Sequence, residues 1–239
     1  LDVLIADFGP ETITHIVLTH SHADHSGAVA ELKARTGAIT CGMLRTAPPA
    51  SKSPSPSGGG YIVSVDYDMP LVDGAIIEGD GWTLEALHTP GHAPDHLCFK
   101  LVGQNALLSG DHVMGWNTSV VAPPEGHMGS YMRALERLLE REEATYFPAH
   151  GGPILEPQRF VRALIFHRRW RENEILDSLR QGATVIADMV PRIYPSIEPA
   201  LSAAAAMSIF AHLEYLVERG IVATSDGGKP AMNKTFVLT

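Results

Sequence analysis

The most constraining stretch of this chain is Thr19-His20-Ser21-His22-Ala23-Asp24-His25-Ser26-Gly27. Three imidazoles and a carboxylate fall between His20 and His25. They follow Ile13-Thr14-His15-Ile16-Val17-Leu18, an apolar, β-branched run that reads as a buried strand. Ser26-Gly27 closes the stretch, and Ala28 to Arg35 read as a helix. The ligand-type residues therefore occupy a tight loop at the carboxyl end of a strand, where open α/β sheets place their sites. Imidazole nitrogen and carboxylate oxygen are the donors that Zn2+ and similar divalent cations take. His20 and His22 alternate along an extended backbone and can point the same way, whereas Asp24 and His25 follow the turn and can point elsewhere. This arrangement predicts two metal positions rather than one.

Composition narrows the setting. With 239 residues, 45% of them hydrophobic, the chain has enough apolar material for one large domain, or for a domain with an appendix. No uninterrupted apolar run reaches ~18 residues, so no membrane partner is expected. Two cysteines, Cys41 and Cys98, make no disulfide framework, and a reducing, cytoplasmic location is the expectation. A net charge of −9 argues against general nucleic-acid binding. The charge is uneven: 8 Lys+Arg against 19 Asp+Glu lie in Leu1–Pro157, and 10 against 8 lie in Gln158–Thr239. Two bound divalent cations would offset part of the acidic excess, to which Asp24 and Asp111 belong.

Later strand ends repeat the pattern. After a turn at Gly37 and a short strand at Ala38–Cys41 comes the Pro/Ser/Gly-rich Ala47–Gly60, a mobile loop that serves as a lid or as a plain surface insertion. Tyr61–Val65 reads as a strand, as does Trp82–Leu87; Asp73-Gly74 and Gly79-Asp80-Gly81 read as turns, with Ala75–Ile77 between them. The strand Trp82–Leu87 runs into His88-Thr89-Pro90-Gly91-His92, whose Pro-Gly turn re-aims His92 as the third ligand of the first metal position. His88 and His96 flank it and read as supporting or packed histidines, because ligating imidazoles need oriented partners. A hairpin, Leu97–Val102 and Asn105–Ser109, ends in Gly110-Asp111, which suits a carboxylate between two metals. The Gly/Pro-rich loop from Val113 to Gly129 follows directly, so Asn117, Thr118 and Ser119 are placed beside the substrate. An amphipathic helix over Gly129–Glu143 leads to a strand at Thr145–Phe147 and then to His150.

Thr-His-Ser-His-Ala-Asp-His, Pro-Gly-His at 90–92, Gly-Asp at 110–111 and Ala-His-Gly at 149–151 resemble the metallo-β-lactamase superfamily. The resemblance implies an α/β fold, the αββα four-layer sandwich, with a dinuclear site at its edge. It implies that His20, His22 and His92 hold one metal, that Asp24, His25 and His150 hold the other, and that Asp111 bridges them. The first strands of that family have no counterpart here. The chain opens on Leu1-Asp2-Val3-Leu4 without Met or a signal-peptide pattern, so upstream residues are expected to be missing. Downstream, His167-Arg168-Arg169-Trp170-Arg171 and its surroundings resemble the β-lactamase-like protein 2 branch, which carries a C-terminal winged-helix-like domain. Independently, Phe160–Arg180, a short helix within Thr184–Tyr194 broken near Pro191 and Pro195, and Ala200–Arg219 read as helices. A hairpin of Ile221–Ala223 with Thr235–Leu238 follows them. The expected division is a metallo-β-lactamase-like domain at 1–157 and a winged-helix-like domain at 158–239.

Together these features point to metal-assisted hydrolysis by a metal-bridging hydroxide, with Asp24 as the catalytic carboxylate that orients it and shuttles its proton. Two divalent ions are expected, with Zn2+ favoured and Mn2+ or Fe2+ as alternatives. The favoured substrate is a small-molecule ester, thioester or lactone. An endoribonuclease acting on single-stranded RNA is the alternative, and a non-catalytic binding module is third. The third C-terminal helix carries one Arg and two Glu, which favours a packing role over nucleic-acid contact.

Overall fold

The structure, a computed structural model, describes residues 1–45 and 62–239. The Ala47–Gly60 loop expected to be mobile, and Tyr61, lie outside the described residues. The chain begins with helix α1 (Asp2–Phe8) and a 3-10 turn (Pro10–Thr12), where the sequence reading placed no element. Strand β1 (His15–Val17) leads into the histidine loop, the single-turn α2 (Ala23–Ser26) and α3 (Val29–Thr36). Gly37 ends α3 in the left-handed conformation (φ +70°) that a C-terminal cap requires. Strand β2 (Ile39–Met43) then lies parallel to β1, with His15 opposite Ile39. A third strand, β3 (Met69–Leu71), pairs parallel to the other edge of β2.

Over the described residues 62–65, this last pairing corrects the reading of Tyr61–Val65 as a strand. Ile62 makes only an isolated bridge to His22, because β3 already fills the free edge of β2. Pro70 hid β3 in the sequence; proline tolerates a strand only at an edge, and β3 is one.

The second sheet is β4 (Ile76–Gly79), β5 (Trp82–His88), β6 (Leu97–Leu101), β7 (Ala106–Gly110) and β8 (Thr145–Pro148), in that order. The first four strands are antiparallel, and β8 joins β7 in parallel. A parallel pair needs a crossover, here α4 (Met128–Leu139). Helix α4 stops at Leu139 rather than running to Glu143 as the periodicity predicts. Arg141 and Glu143 instead pair with each other on the way into β8.

Three apolar clusters stack these layers. Leu18, Val29 and Tyr67 fill the space between α3 and the first sheet. Cys41 and Leu71 from the first sheet meet Ile77, Ala86, Leu97 and Phe99 from the second. The largest cluster lies between the second sheet and the helices, with Leu107, Tyr131, Leu135, Leu138, Tyr146, Val161 and Leu164 among its members. The result is helix, sheet, sheet, helix, as expected.

Helix α5 (Pro157–Arg180) starts with proline at its first position, which has no helical N–H to lose. Its first half packs Val161, Leu164 and Ile165 into the large core. Its second half packs Ile175 and Leu179 into a separate core with α6 (Ile186–Ile193) and α7 (Ser202–Glu218). The antiparallel hairpin of β9 (Val222–Thr224) and β10 (Phe236–Leu238) closes that core. Pro191 does not break α6, as the sequence reading expected, but sits inside it two residues before its end. One missing hydrogen bond there is offset by burial of Met189 and Ile193. The stretch Pro199–Glu218 is long and apolar enough by composition to cross a membrane, although Glu214 and Glu218 interrupt it. In the fold, Ile209, Phe210, Leu213 and Leu216 of this helix are buried in the C-terminal core.

Helix α4 also braces the turn before His92. Gly91 has φ +144°, and a Cβ on it would lie 2.4 Å from the Tyr131 Cα. Gly74 also has a positive φ (+77°), nearer the left-handed helical region, and nothing within 4 Å. Gly91→Ala is therefore expected to lose about 2–5 kcal/mol, combining backbone strain with overpacking. Gly74→Ala is expected to lose ~1–2 kcal/mol, from strain alone. Urea unfolding measures both; equal losses would show that the contact with α4 does not matter.

Candidate metal centre

All seven residues expected as ligands converge at one edge of the sandwich. Strand β1 delivers the histidine loop, the β5–β6 turn His92, the end of β7 Asp111, and the end of β8 His150. His20 Nε2 lies 2.9 Å from His22 Nδ1, and His92 Nε2 lies 3.0 Å from that same atom. His20, His22 and His92 are buried together, and their nitrogens form one compact group. Asp24, His25 and His150 form a second group. Its Asp24 Oδ2 lies 3.6 Å from His25 Nε2 and 3.5 Å from His150 Nε2. Asp111 Oδ2 sits between the two, 3.4 Å from His25, 3.6 Å from His92 and 3.6 Å from His150.

The two groups differ in access. The first lies below the surface, whereas the side chains of Asp24 and His150 are 39% and 37% exposed. The centre therefore opens on the Asp24–His150 side.

Protonation follows from this placement. Burial, then the neighbouring imidazoles, holds His20 well below the ordinary histidine value. Burial, then His92, brings His22 down to about 3. His92 is lowered chiefly by burial. Burial also pulls on His25, but the hydrogen bond and charge of Asp111, then the charge of Asp24, outweigh it and raise its value. Asp111 is lowered: burial opposes ionisation, and the hydrogen bond and charge of His25 overcome it. The first group thus presents neutral imidazoles, the form in which histidine binds metal.

Surrounding residues fix His92 and Asp111. His92 Nδ1 donates to the Val120 carbonyl at 2.7 Å, which leaves its Nε2 as a lone pair facing the group. His96 is buried beside the centre and belongs to neither group. The Asp111 amide donates to His96 Nε2 at 3.0 Å, so His96 Nδ1 carries the proton and donates to Thr89 Oγ1 at 2.8 Å. The Thr89 hydroxyl is left for Cys98 Sγ (3.3 Å), and the thiol for the Ser109 carbonyl (3.4 Å). Gly110 precedes Asp111 with φ +53°, and a Cβ on it would lie 2.6 Å from His96 Nε2. Only glycine leaves room for that hydrogen bond. His88 stands apart, within 2.9 Å of the Pro94 carbonyl.

The histidine loop has its own brace. Asp95 Oδ2 accepts the Ser21 amide at 3.0 Å, between the two ligand histidines. Arg45 ties Asp95 Oδ1 (3.0 Å) and Ser21 Oγ (3.1 Å) to Glu125. The sequence reading missed Arg45, Asp95 and Glu125. They are far apart in the chain and match no ligand spacing, so no local signal announces them.

A divalent cation suits this donor set. His22 Nδ1 faces two ring nitrogens, one of which has no proton, and a proton shared between neutral imidazoles cannot serve all three. Asp111 Oδ1 is buried with no hydrogen-bond partner among the described residues, and His25 Nε2 faces only the carboxylates of Asp111 and Asp24, at 3.4 and 3.6 Å. Buried polar atoms of native proteins are normally satisfied, and an orphaned carboxylate oxygen beside converging imidazole nitrogens marks a place for a cation.

Asn117, Thr118 and Ser119 line a cavity next to Val120, the residue whose carbonyl holds His92. Ser119 is buried, and the Thr118 amide donates to Asn117 Oδ1 at 2.8 Å.

Comparison with known proteins agrees with this arrangement. A family model described as the Metallo-beta-lactamase superfamily matches residues 2–150, and one described as the Beta-lactamase associated winged helix domain matches residues 186–229. An atrochrysone carboxyl ACP thioesterase from Claviceps purpurea is 30% identical over 189 residues, covering 77% of this chain and 54% of that protein. The chain spans about half the length of the curated relatives it matches. The crystal structure of a metallo-beta-lactamase family protein from Thermus thermophilus is 22% identical, with a TM-score of 0.77 over 99% of this chain and 84% of that one. A further structure, solved in a di-iron-bound form, is 25% identical with a TM-score of 0.50, covering 66% of this chain and 81% of that one. With its layers, its histidine loop and its C-terminal module all matched, the chain belongs to the metallo-beta-lactamase superfamily and carries that family's associated winged helix domain.

Proposed function

We propose that this chain hydrolyses small-molecule thioesters, with esters and lactones as related substrates, at a two-cation centre. His20, His22 and His92 would hold one cation, Asp24, His25 and His150 the other, and Asp111 would bridge them. The observation that carries this reading is the position of Asp111 Oδ2, within 3.6 Å of a ligand nitrogen from each group. Imidazole and carboxylate donors favour zinc, and manganese or iron remain alternatives; the di-iron relative supports the pairing of two ions. Divalent cations bound here would supply acidity that lowers the pKa of water toward ~7, and positive charge for the oxygen that becomes anionic in the transition state.

The protein's own groups do the rest. Asp24, half-exposed on the open side, takes the proton of the attacking water and returns one to the leaving thiolate as the C–S bond breaks. His96 orients Asp111 through its backbone, and Val120 orients His92. Burial of His20, His22 and His92 keeps bulk water away from the first group. The thioesterase relative supports the substrate class. Helix α7 has no Lys or Arg and carries Glu214 and Glu218, which favours a small molecule over RNA as substrate.

Metal removal tests the centre directly. A chelator is expected to abolish thioester hydrolysis and lower the melting temperature, and Zn2+, Mn2+ or Fe2+ to restore both. Elemental analysis of the active protein is expected to give two ions per chain, and full activity without metal would refute the centre. A panel of thioesters, lactones and single-stranded RNA separates the substrate classes.

Asp24→Ala and Asp111→Ala are each expected to lower kcat/KM by more than ~100-fold in a folded protein, since even partners one step from a ligand cost 10- to 100-fold. Wild-type rates in either variant would remove that residue from the mechanism. His96→Ala is expected to weaken metal retention by about 10- to 100-fold, with hydrolysis recovering at excess metal. Unchanged retention would limit His96 to core packing.

A further inference from the structure

A cavity of 240 Å3 lies where the loop after Asp111 meets the C-terminal module; its walls include Ser119, Val121, Arg168, Tyr194, Leu201 and Ala205. It contains a buried cation without a counter-charge. Arg168 is 4% exposed. Its Nη2 donates to the Ser119 carbonyl, and its guanidinium lies 5.1 Å from the centroid of the Tyr131 ring. Its Nε has no partner. Among the described residues no carboxylate lies within 4.0 Å of it. Glu172, one turn further along α5, is paired elsewhere through Oε2, 2.8 Å from Arg219; its Oε1 has no hydrogen-bond partner and lies 3.9 Å from His212. Arg171, the next cation on α5, stacks on Trp170 and Tyr194, donates to the Ile193 carbonyl, and likewise has no carboxylate partner. Ser119 Oγ is buried in the same wall without a partner.

Buried charges in proteins are normally paired, because removing a charge from water costs several kcal/mol that only a partner repays. The flanking histidines, His112 and His212, supply no anion, because an imidazole is neutral or cationic. Arg168 and Ser119 both line the cavity, and neither Nε nor Oγ has a partner among the described residues; a guanidinium and a hydroxyl are donors that a carboxylate or a phosphate takes. The volume falls below the ~300–1,000 Å3 of a whole drug-sized ligand, so it fits one end of a substrate. The geometry also ties the cavity to the centre: the Ser119 carbonyl holds Arg168, and the next carbonyl, Val120, holds His92.

We propose that this cavity is the subsite for an oxyanion carried by the substrate, a carboxylate on the acyl group or a phosphate on the thiol carrier. Arg168 is its charged partner and Ser119 its hydroxyl donor. The proposal rests on the thioesterase reading for what the anion is attached to, and not for the binding of the anion itself.

Two measurements test it separately. Calorimetric titration of the metal-loaded protein with succinate and with inorganic phosphate is expected to show binding of at least one, weakened about 10- to 100-fold in Arg168→Gln. No binding to the wild type, or equal binding to the variant, overturns the subsite. In kinetics, succinyl is compared with butyryl on N-acetylcysteamine, and butyryl on phosphopantetheine with butyryl on pantetheine. The wild type is expected to prefer the charged member of one pair, which identifies the source of the anion. In Arg168→Gln that ratio of kcat/KM is expected to fall about 10- to 100-fold. A wild type with neither preference, or a preference that survives in the variant, overturns the proposal. If no thioester is hydrolysed but the anion binds through Arg168, the subsite stands and the thioesterase reading falls. Should Arg168→Gln fail to fold, Ser119→Ala carries the test with an expected loss of about 2- to 10-fold in anion affinity; no loss there counts against the proposal.

Discussion

One backbone donor, the Asp111 amide, decides the state of a whole buried network. Its hydrogen bond to His96 Nε2 forces the proton onto Nδ1, and from there each donor has one remaining acceptor, through Thr89 and Cys98 to the Ser109 carbonyl. The chain of bonds begins and ends within three residues of β7, so it staples the strand end that carries the central carboxylate. Gly110 is the steric condition for it. Without that staple, Asp111 would be a carboxylate on a loose turn. With it, the carboxylate stands among three imidazoles, and it needs the charge of His25, or that of a cation, to be ionised while buried.

The same logic explains why the centre is divided into a dry half and a wet half. Neutral, buried imidazoles on one side can wait for a cation without competing for protons. On the other side an exposed carboxylate and an exposed histidine face the solvent. Chemistry that needs a proton to enter and leave is served by the second half, and rigid positioning by the first.

Much of this was legible in the chain, because ligand chemistry compresses into short motifs at strand ends. The clustered histidines, His92 after Pro-Gly, Asp111 after Gly and His150 all announce themselves by residue type and place. The supports do not. Arg45, Asp95 and Glu125 meet only through the fold, and the run that holds Arg168, though it resembles a family branch, gives no sign of that side chain's burial. Strand errors had the same origin: 62–65 has strand-forming residues but the edge of β2 is taken by β3, and β3 pairs in spite of a proline inside it. Helix α6 continues past Pro191 because burial of its apolar face outweighs one lost bond.

Helix α5 serves two cores with a single rod. Val161, Leu164 and Ile165 set its rotation against the sandwich, and Ile175 and Leu179 set it against the C-terminal module. Each residue turns an α-helix by about 100°, so one insertion or deletion between Ile165 and Ile175 would twist the two anchor sets out of phase. Arg168 and Arg171 lie within that span, and their bearing toward the Ser119 wall is set by the count of residues on either side. The length of this segment thus works as a key cut to a fixed depth, tolerant of changed side chains and intolerant of changed number.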